Sequence, residues 1–294
     1  MIDMQTKLIE GKNALITGGG RGIGKAVALE FAKNGANVAI SARSENELNK
    51  TIKEIENYGV KCLSIPADLS TVDGVNACAD NYLNTFKVCD ILVNNAGFSQ
   101  YHSILEYSIE EFQYLFNLNV MSYFLMTKRM LPGMLEQKSG KIIFTSSGAG
   151  TSTFPAKKFA YAGTKAAEAA MGRCIHAEFQ NQNIHVNVVC PGIVETKIVE
   201  YNRQWGLNYP EGEPPKAIAP IYLFLASNTI KRPYKGRVIN EWAFPELLLK
   251  LKKNIENTNF DIKDLLKTMK EKLSKEKYSF FRKNQELVEF MLKY

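Results

Sequence analysis

The sequence predicts an α/β fold, in which a doubly wound parallel sheet of about seven strands has helices on both faces and is followed by a helical C-terminal extension. Short β-branched segments alternate with helical stretches along most of the chain, as in strands joined by covering helices. The chain has 294 residues, and α/β units of this kind reach roughly 250 residues as one domain. The predicted strands are 13–17, 37–41, 61–66, 90–94, 141–146, 185–189 and 237–239.

A glycine-rich turn, TGGGRGIG, follows the first predicted strand at residues 17–24. A helix is predicted over 23–34, because Ile23, Val27 and Phe31 share one side of it. A strand, a glycine turn and a helix together direct backbone N–H groups and the positive helix end at a pyrophosphate. The turn therefore predicts a Rossmann-type dinucleotide site.

The residues after the second predicted strand indicate which dinucleotide is bound. An acidic residue at the end of that strand would bind the ribose 2′-hydroxyl of NAD, whereas an arginine accommodates a 2′-phosphate. This chain has Arg43 there and Arg21 inside the glycine turn, and an arginine fork matches phosphate geometry. NADP(H) is therefore favoured over NAD(H). The alternatives are that both arginines are only solvent-exposed, or that Glu45 or Glu47 turns inward.

Tyr161 and Lys165 form a candidate catalytic pair. They stand four residues apart, so on a helix the phenol and the ammonium share a face. A nearby positive charge favours phenolate over phenol, which lowers the tyrosine pKa toward the range of a general acid/base. An isolated pair of this spacing is more often a solvated pair on an exposed helix, but this one follows a predicted dinucleotide site.

These motifs resemble the short-chain dehydrogenase/reductase family in its single-domain form, from about Gly11 to about Phe244. In this resemblance Asp68 contacts the adenine ring, Asn94-Asn95-Ala96-Gly97 lines the adenosine side, and the loop from Pro191 to Thr196 holds the nicotinamide carboxamide. The cofactor-binding residues that it implies are Gly18, Gly20, Arg21, Gly22, Ile23, Gly24, Arg43, Asp68, Leu69, Asn94, Ala96, Gly97, Tyr161, Lys165, Pro191, Gly192, Val194 and Thr196.

The resemblance also implies the catalytic residues Asn119, Ser147, Tyr161 and Lys165. Tyr161 exchanges a proton with the substrate oxygen, while Lys165 lowers its pKa and hydrogen-bonds the nicotinamide ribose. Ser147 polarises the substrate oxygen, and Asn119 anchors a water that links Lys165 to solvent. The interval from Ser147 to Tyr161 is one residue longer than the common family pattern, so Ser146 is the alternative serine.

The implied reaction is hydride transfer between a nicotinamide and a ketone or secondary alcohol. The family's variable lid falls between Thr196 and Pro220 and contains Tyr201, Trp205 and Tyr209, which favours an apolar or flat substrate. Alternatively, these aromatic residues only seal the lid onto the scaffold. Phe154 and Phe159 are candidates for the same pocket. The alternative functions are a 3-oxoacyl thioester reductase and a non-catalytic protein that senses dinucleotides or docks partners.

Other sites are not predicted. The five cysteines include no C-x-x-C pair and the three histidines lack metal-ligand spacing, so we expect no metal site or disulfide framework. His102 follows the NNAG motif and could edge the substrate pocket. No signal peptide occurs in residues 1–11 and no apolar run approaches membrane-spanning length, so we expect a cytoplasmic protein.

The C-terminus departs from the family, which commonly ends near residue 244. We expect a catalytic domain over 1–244 and an amphipathic helical extension over 245–294, because apolar residues recur at helical spacing near 247–255, 262–273 and 287–292. The extension packs on the body or a second subunit, docks a partner protein, or lies on an anionic membrane; the first is favoured. The net charge is +7 without a nucleic-acid-binding motif, so we expect no nucleic acid. The resemblance implies a homodimer or larger homo-oligomer, because the C-terminal edge joins subunits in many short-chain reductases.

Overall fold

A parallel sheet forms the centre of the molecule. The computed structural model describes residues 7–227, 238–240, 251 and 260–293. Within those residues the sheet has seven strands in the order β3-β2-β1-β4-β5-β6-β7, all parallel. The strands are β1 (Asn13–Thr17), β2 (Asn37–Ala42), β3 (Cys62–Pro66), β4 (Ile91–Asn94), β5 (Gly140–Thr145), β6 (Ile184–Cys190) and β7 (Val238–Asn240). The predicted α/β fold class is confirmed, and each predicted strand lies within one residue of its observed bounds.

Helices cover both faces of the sheet. In the described residues they are α1 (Gly22–Lys33), α2 (Glu45–Glu56), α3 (Val72–Phe86), α4 (Ile109–Phe116), α5 (Ser122–Glu136), α6 (Phe159–Phe179), α7 (Lys197–Gln204), α8 (Pro215–Ala226), α9 (Ile262–Met269), α10 (Lys275–Lys283) and α11 (Gln285–Lys293). One core contains residues of α1, α2, α8 and the C-terminal helices, and the other contains residues of α3, α5 and α6. The neighbours Leu15 and Ile16 of β1 enter opposite cores, because successive strand side chains alternate between the faces.

The strand order reverses between β1 and β4, where the chain stops adding strands on one side of the sheet and begins on the other. Thr17, the last residue of β1, holds this point together. Its hydroxyl accepts hydrogen bonds from the backbone N–H groups of Asn95 (2.8 Å) and Ala96 (3.0 Å), just after β4. Such a reversal leaves a crevice beyond the carboxyl ends of the strands, where ligands of open α/β sheets bind.

The C-terminal extension packs on the body through α8. The ring centroids of Phe290 on α11 and Phe224 on α8 are 5.3 Å apart. Leu265, Met269 and Leu287 are buried in the same core as α1. The apolar spacing predicted near 262–273 and 287–292 therefore marks helices that pack against the protein's own core. Of the stripe predicted near 247–255, only Leu251 lies among the described residues, and it is buried.

The described segments also lack two kinds of feature, membrane-spanning helices and clusters of metal ligands. No helix in them combines the length and the apolar character needed to cross a bilayer. Nor do those segments contain a cluster of three or more His, Cys, Asp or Glu side chains that could hold a metal ion.

Candidate active site

A cleft of about 320 Å³ opens at the carboxyl edge of the sheet, where the strand order reverses. It brings together the glycine turn, the end of β2, the loop after β4, the end of β5, the start of α6 and the loop after β6. The predicted site residues that line it are Gly18, Gly20, Arg21, Gly22, Ile23, Arg43, Leu69, Ala96, Gly97, Ser147, Tyr161, Lys165, Pro191, Gly192, Val194 and Thr196. One continuous surface thus connects the glycine turn with the tyrosine–lysine pair.

Gly24 and Asp68 are predicted site residues that do not line this cleft. A Cβ at Gly24 would lie 2.2 Å from the carbonyl oxygen of Gly18, so glycine is needed here for close packing of α1 against the turn. Asp68 is exposed at the rim, and its carboxylate accepts hydrogen bonds from the backbone N–H (3.0 Å) and the hydroxyl (2.7 Å) of Ser70. Its neighbour Leu69 lines the cleft instead.

Asn94 is also outside the cleft lining. Its side chain is buried and its Nδ2 donates to the Thr127 hydroxyl of α5 at 3.1 Å. The next residue, Asn95, lines the cleft, and its Nδ2 donates to the Thr17 carbonyl at 2.9 Å. The two asparagines therefore face different sides of the β4 end, with one supporting the sheet and the other bordering the cavity.

Asn119 lies behind the cleft wall in a π-helical turn, Asn117–Met121, between α4 and α5. Its Oδ1 accepts from the Phe98 N–H (3.0 Å), and its Nδ2 donates to the Phe98 carbonyl and the Thr164 hydroxyl (3.0 Å each). The amide therefore ties the loop after β4 to α6, the helix that carries Tyr161. A Cβ on Gly97 would lie 3.3 Å from Asn119 Oδ1 and 3.7 Å from Lys165 Nζ, which places both groups beside that glycine.

Charged side chains cluster at the end of the cleft near β2. Arg21 and Lys197 contact one carboxylate oxygen of Glu47, at 3.0 and 3.2 Å. Burial raises the pKa of Glu47, but the hydrogen bonds and charges of these two cations outweigh it and leave the pKa below its ordinary value. Arg43 Nη1 donates to the Tyr114 hydroxyl at 2.9 Å. Glu47 thus does turn toward the cleft, but as the partner of two cations.

Tyr161 and Lys165 lie on α6 at the opposite end of the cleft, and Lys165 Nζ is 5.5 Å from the centroid of the phenol ring. Burial raises the pKa of Tyr161, while Lys165 and the neighbouring Ser147 hydroxyl act to lower it. The net effect is a raised pKa of Tyr161, because the cost of desolvating a phenolate exceeds these two favourable interactions. The lysine therefore acts in the predicted sense without bringing the phenol below its ordinary pKa.

Ser146 and Ser147 take different roles at the end of β5. The buried Ser146 hydroxyl donates to the Lys165 carbonyl at 2.7 Å, inside the wall between β5 and α6. Ser147 is half-buried; its Oγ accepts a 3.2 Å bond from the Ala149 N–H in the same loop, and its hydroxyl lies beside the Tyr161 phenol. The Ser147 hydroxyl thus remains able to donate to a ligand, whereas that of Ser146 is engaged.

Glu168 is a member of this site that the sequence interpretation missed. Its side chain is fully buried, and its two carboxylate oxygens lie 2.8 and 3.1 Å from Lys165 Nζ. Burial raises the pKa of Glu168 to about 7, although Lys165 opposes this change. The available signal was a glutamate one helical turn after the lysine, in the otherwise apolar run AAEAAM.

Lys158, just before α6, is a second missed residue. It is 1% exposed, and its ammonium donates to the hydroxyl of Ser99 (2.6 Å) and to Oδ1 of Asn202. Its Nζ lies 5.4 Å from the centroid of the Tyr161 ring. Burial lowers the pKa of this lysine to about 7. One side chain thus joins the loop after β4, helix α7 and the start of α6.

The predicted lid contains α7 and the turn that follows it. Tyr201 packs on the cleft residue Phe98 with ring centroids 5.4 Å apart, and Trp205 packs edge-on against His102 at 5.7 Å. Lid aromatics therefore contact the loop after β4, which places His102 beside the lid. The two other candidates do not line the cleft: Phe154 is 79% exposed, and Phe159 packs against Tyr107 at 5.0 Å.

An ion pair shapes the base of the lid. Arg203 on α7 donates to both carboxylate oxygens of Glu195, at 2.7 and 2.8 Å. The same carboxylate accepts from the Gly212 N–H at 2.6 Å, and Arg203 also donates to the Pro210 carbonyl at 2.9 Å. The hydrogen bonds from Arg203 lower the pKa of Glu195 to about 2, so the pair stays charged throughout the neutral range.

Comparisons with known proteins agree with this geometry. A family model described as short chain dehydrogenase matches residues 12–206. Oxidoreductase UcpA of Salmonella typhimurium is 34% identical over 192 residues, covering 65% of this chain and 73% of that protein. The 3-oxoacyl-[acyl-carrier-protein] reductase FabG of Thermotoga maritima is 33% identical over 227 residues, covering 75% and 92%. The crystal structure of L-sorbose reductase from Gluconobacter frateurii, complexed with NADPH and L-sorbose, is 29% identical with a TM-score of 0.72, covering 80% and 97%.

Proposed function

Because this chain belongs to the short-chain dehydrogenase/reductase family, and is thereby an oxidoreductase, we propose that it transfers a hydride between NADP(H) and a ketone or secondary alcohol. The observation that carries this proposal is the position of Tyr161, Lys165 and Ser147 at one end of a cleft whose other end is the glycine turn. The whole set has no evident use in a protein that only senses a dinucleotide.

The cleft fits a dinucleotide in two respects. Helix α1 begins at Gly22 on the cleft wall and has no acidic residue in its first turn, so its N–H groups meet no competing negative charge. A Cβ on Gly22 would lie 3.2 Å from the Thr196 side chain, so the glycine keeps the cradle open between the turn and the lid. We assign the turn to the pyrophosphate and the loop from Pro191 to Thr196 to the nicotinamide carboxamide.

The chain's own residues then supply binding and proton transfer. The bound cofactor contributes hydride chemistry at its nicotinamide ring. The Ser147 hydroxyl donates to the substrate oxygen, and the Tyr161 hydroxyl gives that oxygen a proton in reduction or takes it back in oxidation. Lys165 stabilises the phenolate and hydrogen-bonds the ribose. We assign Asn119 to the proton relay, since its side chain fixes the loop next to Lys165.

Several features support NADP(H). Arg21, Arg43 and Lys197 all line the cleft near the end of β2, and only one carboxylate, that of Glu47, lines the cleft with them among the described residues. Two of these cations already pair with Glu47, so Arg43 is the cation we assign to the 2′-phosphate. The similarity to an L-sorbose reductase complexed with NADPH points the same way.

A second candidate, reduction of a 3-oxoacyl thioester, is favoured by the 33% identity to FabG over 92% of that protein. The aromatic contact between Phe98 and Tyr201 favours a substrate with an apolar part near the reacting oxygen. A panel of ketones, sugars, steroids and acyl thioesters, assayed with NADPH, separates these classes.

We further propose a cytoplasmic homo-oligomer. The free cysteines are compatible with a reducing compartment, and size-exclusion chromatography with light scattering measures the assembly.

The decisive experiment is Tyr161→Phe. Removing the hydroxyl eliminates the proton donor but keeps the ring, so we expect kcat to fall at least about a hundredfold while NADPH affinity changes less than about twofold. Stopped-flow turnover and fluorescence titration of NADPH measure the two effects. The matched control is Tyr58→Phe at an exposed position far along the chain from the site. Full turnover in the Tyr161 variant would refute the assignment.

A further inference from the structure

The Lys165 ammonium is buried and hydrogen-bonds two other residues of the protein. Its ammonium contacts both oxygens of Glu168 and donates to the Thr145 carbonyl at 3.0 Å. An ammonium has three N–H donors, so Thr145 and Glu168 occupy at least two of them and one can serve the ribose. The lysine and the glutamate are both buried, and they sit one helical turn apart on α6. Tyr161 therefore faces an ion pair of opposite charges and not an isolated ammonium.

Burying such a pair is costly unless the two charges compensate each other closely. Ala169 and Gly172, near Glu168 on α6, are buried in the same region, so an apolar residue would have suited packing alone. Glu168 instead keeps Lys165 protonated: burial lowers the pKa of the lysine, but Glu168 and Tyr161 more than reverse this effect. The carboxylate therefore maintains the ammonium on which the phenol depends.

We propose that Glu168 is a positioning residue of the reaction, which holds the Lys165 ammonium in place and cancels part of its field at the Tyr161 phenol. This inference rests on the proposed function of the same site. Coulomb interactions set its direction, because Lys165 favours the phenolate and Glu168 opposes it. The acid/base unit is thus Tyr161, Lys165 and Glu168 together, with a compensated charge.

The other groups around Glu168 do not supply this function. Ser146 of β5 contributes a neutral hydroxyl, which acts to lower the pKa of Glu168. Burial raises the pKa of Tyr123 of α5 well above its ordinary value, so this phenol is neutral, and Cys190 of β6 acts on Lys165. Within the described residues, Lys165 is the one cation that interacts with Glu168. Protonation of Glu168 therefore leaves the field of Lys165 uncompensated.

The test is Glu168→Gln, which keeps the shape and removes the charge. While Lys165 stays protonated in this variant, its uncompensated charge makes the Tyr161 phenol more acidic, so the phenol's limb of the pH–rate profile should move to lower pH by about one unit or more. This direction holds whether the phenolate acts as base in oxidation or the phenol acts as acid in reduction. A limb that moves to higher pH would mean that Lys165 loses its proton when Glu168 loses its charge, and would reject the charge-cancelling role. We expect KM for the carbonyl substrate to stay within about twofold. Glu178→Gln, the same change at an exposed site on α6, should leave the limb in place.

A readout independent of turnover separates this proposal from the proposed function. Near-ultraviolet titration of tyrosinate, taken as the difference between a protein and its Tyr161→Phe variant, follows this phenol even in a protein that reduces no tested substrate. The difference titration should move to lower pH in the glutamine variant. An unmoved titration and an unmoved limb would overturn the role of Glu168, whatever the substrate is.

If the glutamine variant does not fold, K165Q/E168Q replaces it, because two neutral amides leave no uncompensated buried charge. Because Glu168 offsets part of the lysine field, removing both charges should leave the phenol titration within about one unit of the parent's. A titration far above the parent's would show that Lys165 acts alone, and would reject the proposal.

Discussion

Lys158 is buried beside Tyr161 with neutral partners only, among the contacts that the structure describes. Its pKa is lowered by burial from 10.5 to about 7, so the folded protein binds fewer protons than the unfolded chain between those pH values. Stability must therefore rise with pH across that window, and the cost of the buried charge is fully present below about pH 7.

Lys158→Met tests this prediction, since methionine retains the apolar stem without the charge. We expect the variant to be at least as stable as the parent at about pH 6. Between about pH 7 and 10 the parent should gain on the variant by up to roughly 1.4 kcal/mol per pH unit. Urea unfolding across this range measures the difference, with Lys50→Met at an exposed site of α2 as control. Parallel stability curves for parent and variant would contradict the buried-charge explanation.

The prediction for cofactor choice concerns the side chain of Arg43. Arg43→Ala removes the cation that we assign to the 2′-phosphate, and a lost charge-assisted hydrogen bond typically weakens binding by roughly tenfold or more. We expect that loss for NADPH and little change for NADH, measured by fluorescence titration of both. Arg129→Ala, which breaks an ion pair with Asp80 on the α3–α5 side, is the control. Equal losses for the two nucleotides would exclude a 2′-phosphate role for Arg43.

At the scale of elements, α11 contributes to the core through α8. Phe290 is buried against Phe224, so Phe290→Ala leaves a cavity and should lower the free energy of unfolding by about 3–5 kcal/mol. Arg282→Ala on the exposed side of α10 should change it by less than about 0.5 kcal/mol. Urea denaturation followed by circular dichroism measures both. Equal, small effects would mean that the extension contributes little to the folded body.

The elements themselves were predictable because their signals are local. Each strand is a short run of β-branched residues, and the helices of the extension show apolar residues at helical spacing. The π-helical turn at Asn117–Met121 carries no comparable pattern, and it sets the direction in which Asn119 points. The opposite directions of the Asn94 and Asn95 side chains likewise depend on where β4 ends.

For the whole molecule, the parallel sheet and the position of the cleft at its carboxyl edge followed from the alternating pattern and the glycine turn. What could not be predicted were the partners of buried charges. Lys158 contacts Ser99 in the loop after β4 and Asn202 on α7, which are both far from it in sequence. Glu168 was within reach, because its partner is one turn away on the same helix, but its significance depends on full burial. Long-range contacts and burial are properties of the folded chain, and for this reason the sequence did not reveal the roles of Lys158 and Glu168.

The packing of α11 on α8 also has a consequence for biosynthesis. Residues 285–293 emerge from the ribosome long after α1 and α8, yet they belong to the same apolar layer. Until they arrive, a nascent chain presents that layer to water and to chaperones. Completion of the folded body should therefore be a late event, and chains cut short before α11 should be caught by quality control even with every residue of the cleft in place.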